Sequence, residues 1–233
     1  MSKNFSVKPQ GKFDGIYLIS VDGAEFHGTR NQVPGTAVYG ERLFKLGENE
    51  EYREWNPNRS KLCAYFRKNG KECHIKEGMS VLYLGAANGT TVSHVSDIVG
   101  KNGRVYSIEF SARSLRELVQ RLASRPDVIP ILADATRPAQ YRSLIPEQVD
   151  VIYQDVAQPE QSKLLVDNIQ TFLKPGGYFY IAIKSRSIDV SVEPEIIFQK
   201  ERTILEKAGF TILDMRDIAP FSEDHVMIVG KIP

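Results

Sequence analysis

The sequence predicts an α/β protein in which a small β-rich N-terminal domain precedes a doubly wound, mostly parallel sheet of seven strands. Two patterns support this prediction. From Met79 onward, apolar runs of strand length alternate with helical patterns, which is typical of parallel strands joined by crossover helices. Before that point, apolar and polar residues alternate between turn signals, which is typical of antiparallel hairpins. We therefore expect two domains, residues 1–57 and 58–233.

The N-terminal domain is predicted to contain two β-hairpins. The runs GIYLISV and AEFHGTR flank an Asp-Gly turn at 22–23, and VYGERLFKL and EYREW flank a Gly-Glu-Asn turn at 47–49. An Asn-Pro-Asn segment then ends this domain. Asn58 or Ser60 can cap a helix that runs to about Asn69, because both side chains accept hydrogen bonds from free N–H groups at a helix start.

The second domain is predicted to alternate strands and helices to its end. The expected strands are residues 80–84, 104–109, 128–132, 149–154, 177–184, 210–216 and 226–231. The expected helices between them are residues 91–99, 111–123, 161–173 and 194–208. The loop between the last two strands is too short to hold a crossover helix, so these strands are expected to pair antiparallel.

The composition fits a globular protein, with 42% hydrophobic and 25% charged residues. No apolar stretch approaches the roughly 18 residues of a membrane span, and the N-terminus shows no apolar signal core. Cys63 and Cys73 are too few for a disulfide framework, which favours a reducing compartment. Cys73 and His74 resemble half of a metal site, but no second pair follows at zinc spacing, so we expect no metal.

The charge balance argues against a protein that binds nucleic acid by overall charge alone, because 30 Lys and Arg face 29 Asp and Glu. The local balance is different. Six cations lie between Arg53 and Lys71, and the only anion among them is Glu54. This run can face phosphates or form a solvated helix face, and the sequence leaves both interpretations open.

The segment VLYLGAANGTT, residues 81–91, is the most informative motif. An apolar strand breaks into a small-residue loop, and Glu109 and Phe110 end the next apolar run, as in open α/β sheets that hold an adenosine-bearing cofactor. A dinucleotide needs G-x-G-x-x-G, whereas three non-glycine residues follow Gly85, which disfavours an NAD-linked oxidoreductase. S-adenosylmethionine carries no phosphate, and Glu109 can still accept hydrogen bonds from both ribose hydroxyls. Similar turns also occur in α/β proteins that bind nothing there.

Charged residues follow three further predicted strands. Asp134 follows VIPIL, Asp155 follows VDVIYQ, and Lys184 follows YFYIAI. A solvated strand end is the common explanation for any one of these residues. Together with Glu109, however, they would meet at the edge of the sheet where ligands bind.

Four segments resemble the fibrillarin family, namely VLYLGAANGTTVSHVSDIVG, VYSIEFSARSLREL, DVIYQDVAQPEQ and IAIKSRSIDV. The resemblance also covers PGTAVYGERL, EYREWNPNRSKL and EDHVMIV, and thus nearly the whole chain. The segment KSRSIDV and the absence of a Gly/Arg-rich N-terminal region make the chain similar to the archaeal type. The resemblance implies a Rossmann-like methyltransferase that uses S-adenosyl-L-methionine for box C/D guide RNA-directed ribose 2'-O-methylation of rRNA and tRNA, in the cytoplasm.

The resemblance also implies how the cofactor is held. The loop forms a turn beside the methionine moiety, the following helix start contacts the cofactor, and the carboxylate and aromatic pair hold the ribose and adenine. The segment after the strand at 128–132 borders the adenine edge, and the segment after the strand at 149–154 borders the methionine end. The implied cofactor-binding residues are Gly85, Ala87, Thr90, Thr91, Glu109, Phe110, Asp134, Ala135, Asp155, Val156, Ala157 and Gln158.

For catalysis, the resemblance implies Asp155, Lys184 and His225, with a further cation at Arg42. Lys184 would stabilise a developing alkoxide, and Asp155 would position its ammonium or accept the proton, so the identity of the base stays open. His225 is either a catalytic group or a strand-end histidine bonded to backbone. Arg42 stands where the family often has lysine, which preserves charge but not proton transfer. His94, at helical spacing behind the loop, is expected to be structural.

The implied partners are a box C/D guide RNA, target rRNA or tRNA, a Nop-type scaffold protein and a kink-turn-binding ribosomal-type protein, with no membrane. A near-neutral chain should bind RNA weakly alone, which fits this division of labour. An alternative from a different class is a catalytically silent assembly subunit that retains the methyltransferase fold to hold its partners. The presence of Asp155, Lys184 and His225 favours the enzyme.

Overall fold

The fold is that of a computed structural model, which describes residues 5–48 and 50–233. A five-stranded sheet lies near the N-terminus, and a seven-stranded sheet occupies the remainder of the chain. The predicted α/β class with a separate β-rich N-terminal part is confirmed. Asn49, in the second predicted hairpin turn, and residues 1–4 lie outside the described residues.

The N-terminal sheet is antiparallel throughout, in the order β1-β2-β3-β5-β4. Its strands are β1 (Phe5–Pro9), β2 (Tyr17–Val21), β3 (Ala24–Arg30), β4 (Leu43–Leu46) and β5 (Glu50–Trp55). The pairs β2–β3 and β4–β5 are the two predicted hairpins. Asp22 and Gly23 both have positive φ, as a tight two-residue hairpin turn requires. Strand β1 was missed because its side chains are largely exposed, which weakens the apolar signal.

The second sheet has the order β11-β12-β10-β9-β6-β7-β8. Its strands are β6 (Ser80–Leu84), β7 (Arg104–Glu109), β8 (Val128–Leu132), β9 (Val149–Gln154), β10 (Leu173–Lys184), β11 (Thr211–Asp217) and β12 (His225–Lys231). The α-helices are α1 (Lys61–Arg67), α2 (Thr90–Val99), α3 (Ala112–Arg121), α4 (Pro138–Tyr141), α5 (Gln161–Phe172) and α6 (Pro194–Lys207). The single turn of α4 is too short for a periodic pattern, and the sequence did not predict it.

Strand β12 runs antiparallel to both of its neighbours, β10 and β11. The other neighbouring pairs of this sheet are parallel. This arrangement agrees with the antiparallel pair expected at the end of the chain. Strand β10 begins at Leu173, earlier than predicted, and its register against β9 shifts before Tyr178. The shift spans Gly176, whose φ is +72°.

The strand order reverses around β6, which lies between β7 and β9 and is buried along its whole length. Apolar clusters cover both faces of the sheet around it. The loops that follow β6, β7 and β9 diverge at the carboxyl ends of these strands, and a crevice opens there. Within the described ranges, no helix is both long and apolar enough to cross a membrane.

A buried ion network, which we call the ionic seam, joins the N-terminal sheet to helix α2. Arg53 of β5 lies 2.8 Å from Glu41 and 3.0 Å from Asp97 of α2. Asp97 also lies 2.7 Å from Arg125. All four side chains are at most 1% exposed. Removing one partner from a buried network of this kind costs about 3–5 kcal/mol, so the two parts of the chain are firmly coupled.

Candidate active site

Three cavities open at the carboxyl ends of β6, β7 and β9. The first, of about 510 Å³, extends along the loops that follow β7, β8 and β9. The second, of about 310 Å³, lies at the start of α2. The third, of about 370 Å³, lies between α1, β10 and β12. Gly85, Ala87 and Asp155 line all three cavities, which therefore meet at the reversal of strand order.

Gly85 allows two backbone segments to meet at this junction. Its φ is +84°, and a Cβ atom there would lie 2.3 Å from the Asp155 carbonyl oxygen. The N–H groups of Gly85 and Ala86 both donate to the Ile108 carbonyl at 3.0 Å, which ties the loop to β7. A side chain at position 85 would therefore push the β6 and β9 loops apart.

The Glu109 carboxylate is fixed from both sides at the end of β7. Its Oε2 accepts from the Ala87 N–H at 2.7 Å, and its Oε1 accepts from the Ser111 N–H at 2.8 Å. Each carboxylate oxygen can accept a second hydrogen bond. Glu109 thus presents two oriented acceptors to the first cavity, which suits a pair of vicinal hydroxyls.

The far end of the first cavity combines an aromatic face with a carboxylate. The Phe110 residue lines it and is 77% exposed, so its ring is available for stacking. Asp134 Oδ1 accepts from the Thr136 N–H at 2.9 Å and from its hydroxyl at 2.7 Å. These hydrogen bonds hold the pKa of Asp134 below its usual value, so the carboxylate is charged. Ala135 also lines this end, whereas Val156, Ala157 and Gln158 line the side after β9.

The start of α2 forms the wall of the second cavity. Gly89 occupies the N-cap position with φ +89° and provides no side-chain cap. Thr90 and Thr91 follow it and line the cavity. The first N–H groups of a helix lack intrahelical partners and attract anions, so this wall suits a carboxylate. The Thr91 hydroxyl donates to Ser60 Oγ at 3.0 Å, which connects the start of α2 to the start of α1.

Asp155 pairs with Lys61 in the third cavity. The Lys61 ammonium lies 2.8 Å from both carboxylate oxygens of Asp155, and each side chain is about one quarter exposed. Asp155 was expected to position the Lys184 ammonium or to accept the proton, and in the structure both of its oxygens contact Lys61. Asp155 itself is held by its N–H, which donates to the Leu84 carbonyl at 2.9 Å.

Lys184 and His225 are neighbours on adjacent strands at the edge of the same cavity. They are direct register partners on the antiparallel strands β10 and β12, and both line the cavity beside Asp155. His225 Nδ1 lies 2.6 Å from the Glu223 carbonyl, so Nδ1 carries the proton and Nε2 is an acceptor. Burial lowers the pKa of His225, which keeps the imidazole neutral. His225 therefore has the backbone hydrogen bond of a strand-end histidine and also the position in the cavity that a catalytic group needs.

Arg42 lies elsewhere, directly before β4 of the N-terminal sheet. Its Nε donates to Glu54 at 2.6 Å, and its guanidinium lies over the Phe26 ring at 4.2 Å. The lining of the three cavities does not include it. The structure thus does not place Arg42 beside the other expected catalytic residues, whereas Lys61 reaches Asp155 directly.

Lys61 is a residue of the third cavity that the sequence did not predict. It is the first residue of α1, directly after the Ser60 N-cap. A cation is unfavourable at this end of a helix, because the helix dipole places positive charge there. A lysine at such a position is stabilised by an anionic partner from another element. A cation directly after an N-cap is therefore the sequence feature that could have indicated this ion pair.

The run of cations from Arg53 to Lys71 does not form one surface. Arg53 is buried in the ionic seam, and Lys61 lies in the third cavity.

His94 is structural, as expected. It is buried and lies 2.8 Å from the Thr29 hydroxyl and 2.7 Å from the Tyr39 hydroxyl.

The three cavities differ in the chemistry that they offer. The first offers paired acceptors, an aromatic ring and a carboxylate, which suit a nucleoside. The second offers a helix start, and the third a carboxylate, two ammonium groups and a neutral imidazole, which suit the activation of a hydroxyl. Within residues 5–48 and 50–233, no group of three or more His, Cys, Asp or Glu side chains is placed to hold a metal ion.

Comparison with known proteins agrees with this description. Residues 7–233 match the family described as fibrillarin. The chain is 54% identical over 222 residues to the Pyrococcus horikoshii fibrillarin-like rRNA/tRNA 2'-O-methyltransferase, covering 94% of this chain and 96% of that one. The Aeropyrum pernix fibrillarin structure, in complex with natively bound S-adenosyl-L-methionine, superposes with a TM-score of 0.90 at 46% identity and covers 97% of each chain. A fibrillarin/Nop5p complex superposes with a TM-score of 0.81 at 37% identity, covering 94% of this chain and 97% of that one.

Proposed function

The chain belongs to the fibrillarin family, and from this membership we propose that it methylates ribose 2'-hydroxyls of rRNA and tRNA with S-adenosyl-L-methionine, directed by a box C/D guide RNA. The observation that carries the proposal is the third cavity. It places the Asp155–Lys61 pair, Lys184 and His225 together, and it joins the nucleoside-shaped cavity at Gly85. A hydroxyl-activating site beside a nucleoside site is what ribose methylation requires.

The residues of the first two cavities fit the cofactor. Glu109 would hold the ribose hydroxyls, Phe110 would stack on the adenine, and Asp134 would accept from the exocyclic amine. The start of α2 at Thr90 and Thr91 would bind the methionine carboxylate. When bound, the cofactor supplies an electrophilic methyl group.

The residues of the third cavity orient the ribose and ease loss of its proton. The ammonium groups of Lys61 and Lys184 would stabilise negative charge that develops on the 2'-oxygen. Two groups can accept the proton, namely the Asp155 carboxylate and His225 Nε2. Alignment of the hydroxyl also accelerates the reaction, because a positioned nucleophile reacts far faster than a free one.

The partners of this chain follow from the same membership. RNA is the substrate, and the fibrillarin/Nop5p complex supports a Nop-type scaffold as a partner. We further propose a box C/D guide RNA and a kink-turn-binding protein. The net charge of +1 supports this division, because a near-neutral chain gains little RNA affinity from overall charge. A cytoplasmic location is proposed from the archaeal type alone.

Mass mapping of 2'-O-methyl groups on a designed target RNA tests the proposal. The chain is assembled with scaffold protein, kink-turn-binding protein and a guide that matches the target. We expect one methylated nucleotide with the matching guide and none with a mismatched guide. Guide-independent methylation by the isolated chain would contradict the guided mechanism. A wild-type assembly with no turnover would favour a silent assembly subunit, and turnover unaffected by Lys184→Ala would contradict the role proposed for Lys184.

A further inference from the structure

The end of β10 lacks a regular strand neighbour on one side. Strand β9 pairs with β10 as far as Gln154, opposite Ile181, and ends there. The chain then leaves the sheet, and Asp155 and the residues that follow it line the cavities. Lys184 lies three residues beyond the last β9 partner. Its backbone N–H and carbonyl on this side need other hydrogen-bond partners.

Gln161 supplies both partners. It is the first residue of α5 and is fully buried. Its Oε1 accepts from the Lys184 N–H at 3.0 Å, and its Nε2 donates to the Lys184 carbonyl at 3.0 Å. A primary amide carries the same donor and acceptor as a peptide group, so this side chain replaces the missing strand. On the opposite side, Lys184 is paired with β12 at His225.

Gln161 is itself hydrogen-bonded to the segment that carries Asp155. Gln154, which is fully buried, donates its Nε2 to the Gln161 carbonyl at 2.8 Å. The next residue after Gln154 is Asp155, which pairs with Lys61. A short chain of hydrogen bonds therefore connects the backbone that carries Asp155 to the backbone that carries Lys184.

We infer that Gln161 is a positioning residue, which sets the distance between the Lys184 ammonium and the Asp155–Lys61 pair. The lining of the three cavities does not include Gln161, so it acts through Lys184 and not on substrate or cofactor. Lys184 lines the third cavity, and the position of its backbone sets where its side chain enters that cavity. This inference rests on the proposed methyl transfer.

The test compares Gln161→Met with Ser162→Ala in the reconstituted guide complex. Methionine keeps the length of the side chain and removes both hydrogen bonds to Lys184. Ser162 is the matched control, because it is also fully buried but its hydroxyl donates to the Glu201 carbonyl at 3.2 Å. For Gln161→Met we expect kcat to fall about 10- to 100-fold, since small displacements of a catalytic group have effects of this size. The cofactor Kd and the KM for target RNA stay constant, and hydrogen exchange of the Lys184 amide accelerates.

Three results would overturn the inference: a wild-type kcat for Gln161→Met, an equal loss of cofactor affinity, or unchanged exchange of the Lys184 amide. Ser162→Ala should leave all of these quantities as in the wild type. If Gln161→Met does not fold, Gln161→Glu keeps the acceptor for the Lys184 N–H, removes the donor, and is judged by the same measurements. A wild-type complex without turnover would contradict the proposed function instead, and amide exchange at Lys184 would still decide the positioning role.

Discussion

Replacing Gly85 by alanine should disturb the junction of the three cavities. It should also destabilise the protein by more than the conformational cost of a non-glycine residue at positive φ. Two effects add at this position. An L-residue at φ +84° costs about 1–2 kcal/mol. The new Cβ would also lie 2.3 Å from the Asp155 carbonyl oxygen, and the two atoms must separate to at least 3.0 Å. Overpacking of this kind costs a further ~1–3 kcal/mol, so we expect a loss of about 2–5 kcal/mol in the free energy of unfolding.

Gly35→Ala is the matched control for this prediction. Its φ is +82°, but no atom lies within 4 Å of the position that a Cβ would take. It should therefore show only the conformational cost of about 1–2 kcal/mol. Urea unfolding measures both free energies, calorimetry measures the cofactor Kd, and the reconstituted assay measures kcat. Because Asp155 must move, Gly85→Ala should lose about 100-fold in kcat. Equal effects of the two substitutions on stability and kcat would refute the reasoning.

Three further predictions follow from the same geometry. Lys61→Ala should lower kcat about 100-fold with little change in cofactor affinity, because it removes the ammonium that lies 2.8 Å from both Asp155 oxygens. Glu109→Gln should weaken cofactor binding about 10- to 100-fold in calorimetry, because hydrogen bonds to a charged acceptor contribute about 1.5–3 kcal/mol. Burial lowers the pKa of His27 from 6.5 to about 4, so the unfolded chain binds a proton first as the pH falls. Relative to His27→Gln, the wild type should lose roughly 1.6 kcal/mol of unfolding free energy between pH 6.5 and 5.

Each of these three predictions has a result that would contradict it. Lys71→Ala is the control for Lys61, because the Lys71 ammonium donates to the Leu213 carbonyl on the surface, and similar losses in both variants would exclude a specific role. An unchanged cofactor Kd in Glu109→Gln would remove Glu109 from the binding site. Parallel pH–stability curves for the wild type and His27→Gln would show that His27 does not titrate in this range.

The sequence predicted those parts of the site that follow from strand order. Asp134, Asp155 and Lys184 each end an apolar run, and the carboxyl ends of neighbouring strands must meet at one edge of a sheet. The loop at Gly85 and the carboxylate of Glu109 were predicted for the same reason. Local pattern was sufficient here because alternation of strands and helices determines which ends share an edge.

The missed parts depend on tertiary packing. Lys61 reaches Asp155 across 94 positions of sequence, and only the packing of α1 against the strand ends brings them together. Arg53 lies in a run of cations that sequence alone cannot divide into buried and exposed members. Arg42 was expected in the site from family resemblance, but its position depends on how the second hairpin folds onto Glu54.

The ionic seam limits how this protein can be recombined with its relatives. Asp97 of α2 is shared between Arg53, from the N-terminal sheet, and Arg125, from the larger domain. A foreign N-terminal sheet without an arginine at position 53 would leave Asp97 with one of its two cations. The same helix begins at Thr90, which lines the second cavity. The border near residue 57 is therefore a poor crossover point for chimeras, and a transplant that retains function has to carry the N-terminal sheet together with α2.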